Sequence, residues 1–318
     1  MNPLKKSTSA YSKRTRKLKQ RHANDNRPNI FPARDNSAVP QIKSAGMLEM
    51  TDMEVLTLLQ RGYATRDPLF DELFANSLAS EIDRLIDTGV IRPAPDRIVN
   101  GAPTEWLINM GPGTGRSWAD TLFKASPLLK MLYTSIVQLG ESYNRTRARL
   151  IEAGAVRAQD IQELACDGVE ININRVVGTP GAVWSGLHLH TDDTRFTAAL
   201  KAMDPASIGH RTVLARAFTI SGYARRRRSD GSPQNDLGGA LPFIIRPQAL
   251  NRGGDKTIID IVPAFHNTGA FFFPKTVHGV SRMIEGGVRY SFQAFFPSLD
   301  GWRSINALDH AIPDRVAA

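Results

Sequence analysis

The chain has 318 residues, room for one large domain or two small ones around a buried core, and a single cysteine, Cys166. One cysteine excludes an internal disulfide framework and makes a reducing cytoplasm the expected location; no apolar run is long enough to cross a bilayer, and the N-terminus lacks the apolar stretch of a secretory signal. The net charge of +9 sits at one end: residues 1–34 hold ten basic side chains against Asp25, and the rest of the chain balances 30 basic with 30 acidic residues. A neutral body is unlike a domain that grips phosphates, so contact with nucleic acid is expected only through 1–34.

Residues 1–45 are rich in Lys, Arg, Asn, Ser and Pro and show no sustained periodicity, which predicts a disordered tail. It reads as a polyanion-binding arm, a plain solvated tail or a transit segment. Residues 46–165 read as a helical supporting region. Thr51 and Glu54 form a capping-box pattern ahead of Val55, Leu58 and Leu59. Asp67-Pro68 reads as a helix start, with Leu69, Leu73, Leu78, Ile82, Leu85 and Ile86 as its stripe and Gly89 as its stop. Ser126-Pro127 opens another helix with Leu128, Leu132, Ile136, Leu139 and Tyr143 on one face, closing near Gly154. The glycine-rich stretch 111–117 lacks the Gly-Lys-Ser/Thr ending of a phosphate loop and a preceding strand, so it reads as a plain loop.

From 166 to 300 the pattern changes to short β-type runs at 169–177, 187–191, 212–220, 241–245, 257–261, 270–273 and 288–296, separated by Gly, Pro and Asp turns. Helices followed by strands predict an α+β fold, with a two-sheet jelly-roll or cupin-like core supported by the N-terminal helices. Residues 301–318 read as a C-terminal tail.

His190-Thr191-Asp192 ends one of these runs. Alternation along a strand puts His190 and Asp192 on one face, and His278 supplies a second imidazole. Two imidazoles and one carboxylate suit divalent iron with three coordination positions left open. A His-x-Asp triplet by itself is also consistent with ordinary polar strand residues. Arg289 and Ser291 lie two apart on the last run, a guanidinium fork beside a hydroxyl, which suits the far carboxylate of a dicarboxylate co-substrate. His188 shares the face of His190, either touching substrate or metal surroundings or serving as a satisfied strand histidine. His266 has no evident role, and 225–228 form an arginine run in a turn, read as a solvated loop or as a positive patch that attracts an anionic substrate.

The set His190-Thr-Asp192, His278-Gly-Val and Gly287-Val-Arg289-Tyr-Ser291-Phe resembles the Fe(II)/2-oxoglutarate-dependent oxygenases of the prolyl-hydroxylase-like and phytanoyl-hydroxylase-like range. Glu170-Ile-Asn-Ile-Asn-Arg175 and Asp236-Leu-Gly-Gly-Ala-Leu241 agree with it, and the match spans roughly 168–297. The resemblance implies a double-stranded β-helix, His190, Asp192 and His278 as iron ligands, and Arg289 with Ser291 on the 2-oxoglutarate C5 carboxylate. It implies a dioxygenase that releases succinate and carbon dioxide while hydroxylating a small-molecule or amino-acid-like substrate. Retention of Asp192 favours hydroxylation over halogenation. Val176 stands where prolyl-hydroxylase-like members often carry Tyr, and Phe295 where the nucleic-acid-dealkylating branch carries a second Arg. The alternatives are an oxygenase acting on nucleic acid or protein, and a non-catalytic cupin-like metal-binding protein.

Overall fold

The first helix, α1 (Asp52–Arg61), begins where the capping-box pattern predicts. The Glu54 N–H donates to Thr51 Oγ1 at 3.2 Å, and the Thr51 N–H donates back to the Glu54 carboxylate at 2.8 Å. Gly62 ends the helix in the left-handed region, with φ at 79°, and strand β1 (Tyr63–Arg66) follows. The second helix, α2 (Glu72–Asp87), starts later than Asp67-Pro68 predicts. Asp71 caps it, accepting from the Leu73 and Phe74 N–H groups, so Asp67-Pro68 lies in the preceding loop. The shift moves Leu73 out to 49% exposure, while Phe74, Leu78, Ile82 and Leu85 form the buried stripe.

Four short strands follow within the region expected to be helical: β2 (Arg92–Pro93), β3 (Ile98–Val99), β4 (Ala102–Pro103) and β5 (Glu105–Met110). A strand therefore does precede the glycine-rich stretch, contrary to the sequence expectation, and helix α3 (Trp118–Ala125) follows it. Helix α4 (Pro127–Glu152) opens at Ser126, whose hydroxyl accepts from the Leu129 N–H at 3.2 Å, with Pro127 in the first turn as expected. The remaining strands are β6 (Glu170–Val177), β7 (Leu187–His190), β8 (Arg216–Ala224), β9 (Leu241–Ile245), β10 (Ile258–Val262), β11 (Gly269–Phe272), β12 (Val277–Val280) and β13 (Val288–Pro297). Strand β8 runs four residues further along the chain than the expected 212–220, and β12 has no counterpart in the sequence reading.

This computed structural model describes Ala45 and residues 48–95, 97–99, 102–112, 118–178, 187–192, 216–224, 241–245, 258–262, 266–281, 283 and 287–303; at 99, 118, 187–188, 216–224, 241–245 and 258–262 it describes the backbone alone. The expected basic tail, apart from Ala45, the arginine run 225–228, residues 113–117 of the glycine-rich stretch and residues 304–318 of the expected C-terminal tail lie outside the described residues, while residues 301–303 of that expected tail are described and helical. Every described residue belongs to one compact unit, Val39–Ala318.

Among the described residues the strands form a seven-stranded sheet in the order β1-β11-β8-β13-β6-β5-β2, a four-stranded sheet in the order β10-β9-β12-β7, and the β3-β4 hairpin. All neighbouring pairs are antiparallel. From β6 onward the chain passes repeatedly between the two larger sheets: β6, β8, β11 and β13 enter the first, and β7, β9, β10 and β12 enter the second.

Alternation gives the long strands two distinct faces. On one, Ile171, Ile173, Tyr290, Phe292, Ala294 and Phe296 join a core with the stripes of α2 and α4. Phe70, just ahead of α2, stacks its ring 5.7 Å from Phe292. Burying each of the Ile and Phe side chains stabilises the fold by about 1.5–3 kcal/mol. Gly140 of α4 packs against this face, and a Cβ there would fall 2.4 Å from Phe296 Cε1. The opposite face carries Arg289 and Ser291 on β13, and their register partners Val176 and Asn174 on β6.

Candidate metal centre

His190 ends β7 and pairs directly with His278 on β12 across the four-stranded sheet. Directly opposed residues on one face bring their side chains together, and the two imidazole rings lie 4.4 Å apart, tilted by 48°. Asp192 follows two residues after His190, and its N–H donates to the Pro274 carbonyl at 2.9 Å, which ties the end of β7 to the turn between β11 and β12. The Asp192 Oδ1 is 3.7 Å from His190 Nε2 and 3.9 Å from His278 Nε2. Ligand atoms of all three lie within 4.8 Å of one another, and this His-Asp-His cluster is able to hold a metal ion.

The donors suit such an ion. His278 Nδ1 lies 2.9 Å from the Thr276 carbonyl, which can only accept, so Nδ1 carries the proton and the Nε2 lone pair faces Asp192. Thr276 is itself held, donating its hydroxyl to the Gly62 carbonyl at 2.7 Å. The turn that orients His278 thus rests on the end of α1. Behind the ring, Phe272 of β11 is buried with its centroid 4.4 Å from that of His278, joining the seven-stranded sheet to the cluster. Around a metal about 2.1 Å from each donor, adjacent donors lie about 3 Å apart. Small side-chain rotations would close the observed gaps.

Arg289 and Ser291 are buried on β13. Sequence reasoning missed two residues that surround them. The Ser291 hydroxyl donates to Asn174 Oδ1, and Asn174 Nδ2 donates to Glu105 Oε1 on β5 at 3.3 Å. Asn174 lies in the stretch Glu170–Arg175, whose pattern assigns it no role of its own, and Glu105 lies in a stretch whose pattern predicts helix. His188 occupies β7 two positions before His190, and its side chain lies outside the described residues. His266 is buried and meets the Glu72 carboxylate at 3.0 Å, which joins α2 to the approach to β11 and gives it a structural partner. Burial, with Glu141, Asp167 and Glu163 nearby, pushes the Cys166 thiol up to about 12, which favours the protonated form. Among the described residues no helix is long and apolar enough to cross a membrane.

No protein-family model and no curated protein matches the chain. Solved structures similar to it include a prolyl-4-hydroxylase from Pseudomonas putida, 15% identical with a TM-score of 0.45, covering 77% of this chain and 97% of that one. They also include a Trichoplax adhaerens prolyl hydroxylase in complex with a hypoxia inducible factor peptide fragment, 13% identical with a TM-score of 0.49, covering 81% and 91%. A third is the epimerase SnoN in complex with Fe3+, alpha ketoglutarate and nogalamycin RO, 13% identical with a TM-score of 0.48, covering 84% and 91%.

Proposed function

We propose that the chain is an Fe(II)- and 2-oxoglutarate-dependent oxygenase with a double-stranded β-helix core, and that it hydroxylates a small-molecule or amino-acid-like substrate. The observation that carries this reading is the meeting of His190, Asp192 and His278, the last some ninety positions away in the chain, with their donor atoms within 4.8 Å. The passage of successive strands between two antiparallel sheets supports the β-helix assignment.

In this reading His190, Asp192 and His278 would hold the iron, a donor set of two imidazoles and one carboxylate that suits it. Iron bound there supplies the oxidising chemistry, in which dioxygen is activated as 2-oxoglutarate loses carbon dioxide to become succinate. The chain's own work is positional. The Thr276 carbonyl fixes the His278 tautomer, the strand pairing fixes the two imidazoles, and the Phe272 ring packs against that of His278. Arg289, buried and permanently charged, receives the far carboxylate of the co-substrate. A structural metal site would need no such cation, which argues against a non-catalytic cupin-like protein. The neutral body favours a small substrate over nucleic acid, leaving 1–34 as the only segment suited to a polyanion. The segments 193–211 and 221–236, of which only 221–224, at the end of β8, lie among the described residues, are proposed to shape the substrate pocket, and the cytoplasm is the proposed location.

The test is to load the purified chain with Fe(II) without oxygen, titrate 2-oxoglutarate while following the metal-to-ligand absorption band, then admit oxygen and measure succinate. Iron-dependent succinate is the expected result. A chain that binds no iron, or forms no succinate with any substrate class offered, removes this reading.

A further inference from the structure

The hydroxyl proton of Ser291 already has an acceptor within the chain. It is donated to Asn174 Oδ1, directly across the β13–β6 register. The orientation of the Asn174 amide follows from its other neighbour. Glu105 Oε1 lies 3.3 Å from Asn174 Nδ2, and a carboxylate only accepts, so it takes the N–H side of the amide and turns the carbonyl oxygen toward Ser291. Arg97 Nε, 3.4 Å from Glu105 Oε2, keeps that carboxylate in place. A serine hydroxyl has one proton, and 2-oxoglutarate presents only acceptors: two carboxylates and a ketone.

We propose that Glu105, acting through Asn174, withholds the Ser291 proton and so lowers the affinity of the adjacent Arg289 site for a carboxylate. The proposal rests on the reading in which Arg289 and Ser291 face the co-substrate. Glu105 is a positioning residue; it touches neither iron nor co-substrate. If Ser291 turned its proton to a bound carboxylate, Asn174 Oδ1 would lose its donor. Asn174 cannot compensate by turning over, because its carbonyl would then face the Glu105 carboxylate. The chain therefore binds its co-substrate with Arg289 and with little help from Ser291. A carboxamide at position 105 would change this. It can donate to Asn174 Oδ1, which lets Asn174 turn, present Nδ2 to Ser291 Oγ and release the hydroxyl proton for the carboxylate.

The experiment is a double-mutant cycle on the full chain, loaded anaerobically with Fe(II) and titrated with 2-oxoglutarate. Ser291→Ala in the natural background should move the midpoint by less than about twofold. Glu105→Gln should tighten it roughly tenfold, the worth of one hydrogen bond to a charged group. Ser291→Ala added to Glu105→Gln should abolish that gain. Asn174→Ala, which frees the proton by a second route, should tighten binding in the same direction. A gain that came instead from the lost negative charge, which Arg97 beside Glu105 already offsets, would survive the loss of Ser291. A gain that persists in the double variant overturns the proposal, as does a roughly tenfold loss for Ser291→Ala alone or the absence of any gain for Glu105→Gln. If the natural chain gives no 2-oxoglutarate-dependent band, the co-substrate reading fails and the proposal falls with it; a band that depends on Arg289 but ignores Glu105 overturns the proposal alone.

Discussion

In the four-stranded sheet, His190 and His278 ride on strands of four residues, β7 and β12, Asp192 follows just beyond β7, and the cluster is held from close by. The Asp192 N–H reaches the Pro274 carbonyl, His278 leans on the Thr276 carbonyl, and Thr276 leans on Gly62. The outer face of β7 is open, with Leu189 51% exposed. In the seven-stranded sheet, Arg289 and Ser291 ride on a ten-residue strand whose other face is buried against helices. Tyr290, between them, donates to Asp83 Oδ2 of α2 at 2.7 Å. Asp83 Oδ1 also meets Arg175 Nε of β6 at 3.1 Å, and the Arg175 guanidinium lies 4.7 Å from the Trp106 ring. One carboxylate thus ties β6 and β13 to α2 from behind. Side chains held by turn hydrogen bonds can be replaced with little effect on the rest of the molecule, whereas those on a backed strand share their position with the core. The first region should lose chemistry without losing stability, and the second should couple the two.

The largest effect tests the first half of that contrast. His190→Ala, Asp192→Ala and His278→Ala are each expected to lower iron affinity by more than about a hundredfold, since even indirect partners of a metal ligand are worth 10–100-fold. Succinate formation should fall to background, and the melting temperature should barely move. Metal analysis after dialysis, with a melting curve, checks both. Full succinate production by Asp192→Ala would show that the cluster is not the metal site.

Next comes Arg289. Arg289→Leu is expected to weaken 2-oxoglutarate binding by about 2–4 kcal/mol, because a carboxylate would lose its charged partner in a buried place. Arg289→Lys keeps the charge without the planar fork and should cost less. Iron affinity without co-substrate should stay constant in both. An unchanged 2-oxoglutarate midpoint for the leucine variant would leave the clamp unsupported.

Asp83→Ala tests the coupling on the other face. It removes the acceptor of the Tyr290 hydroxyl and the ion-pair partner of Arg175, and should destabilise the chain by about 1–3 kcal/mol in a denaturant titration. Because Tyr290 lies between Arg289 and Ser291, the 2-oxoglutarate midpoint should weaken as well. Lost stability with an unchanged midpoint would mean the two faces of β13 are independent.

Much of this arrangement could be read from the sequence, for local reasons. The Thr51/Glu54 box and Ser126-Pro127 are signals in which side chain and backbone agree within one turn, and both helices begin there. Strands β6, β9 and β13 are long or apolar enough to stand out, and His190, Asp192 and His278 were recognisable because metal chemistry restricts residue type and spacing. The missed elements depend on distant partners. Strand β12, Val277-His-Gly-Val280, has four residues and no alternation, and pairing with β7 and β9 makes it a strand. Strand β1 pairs with β11, about two hundred residues away. Strand β5 carries Trp106, Leu107 and Ile108 in succession, a run that fits a helix as well as a strand, and β6 decides it. Asp67-Pro68 looks like a helix start, but the better cap is Asp71, whose carboxylate meets two N–H groups. Glu105 and Asn174 gain their meaning only once β5 lies beside β6, and no one-dimensional pattern carries that.

The smallest effect concerns where the supporting region begins. Ala45 is 2% exposed, and its carbonyl accepts from the Asp71 N–H at 2.8 Å. Asp71 is the cap of α2, the helix that carries Asp83, so this bond steadies the start of the element that backs the seven-stranded sheet. A few residues on, Leu48 and Met50 are buried, and the Met50 N–H donates to Ser142 of α4 at 2.9 Å. A chain starting at Ala45 should therefore match the full one in melting temperature, iron binding and 2-oxoglutarate midpoint. A chain starting at Met47 loses the Ala45 carbonyl and its buried methyl group. It should be less stable by about 0.5–1.5 kcal/mol, one net hydrogen bond, with iron binding intact. The contrast between the sheets sets the expected readout. The loss should appear in denaturant unfolding and, faintly, at the Arg289 site through α2, but not at the His-Asp-His cluster, whose supports lie in the β11–β12 turn and at Gly62. Loss of iron binding in the shorter chain would mean the two sheets are coupled more tightly than their separate supports imply.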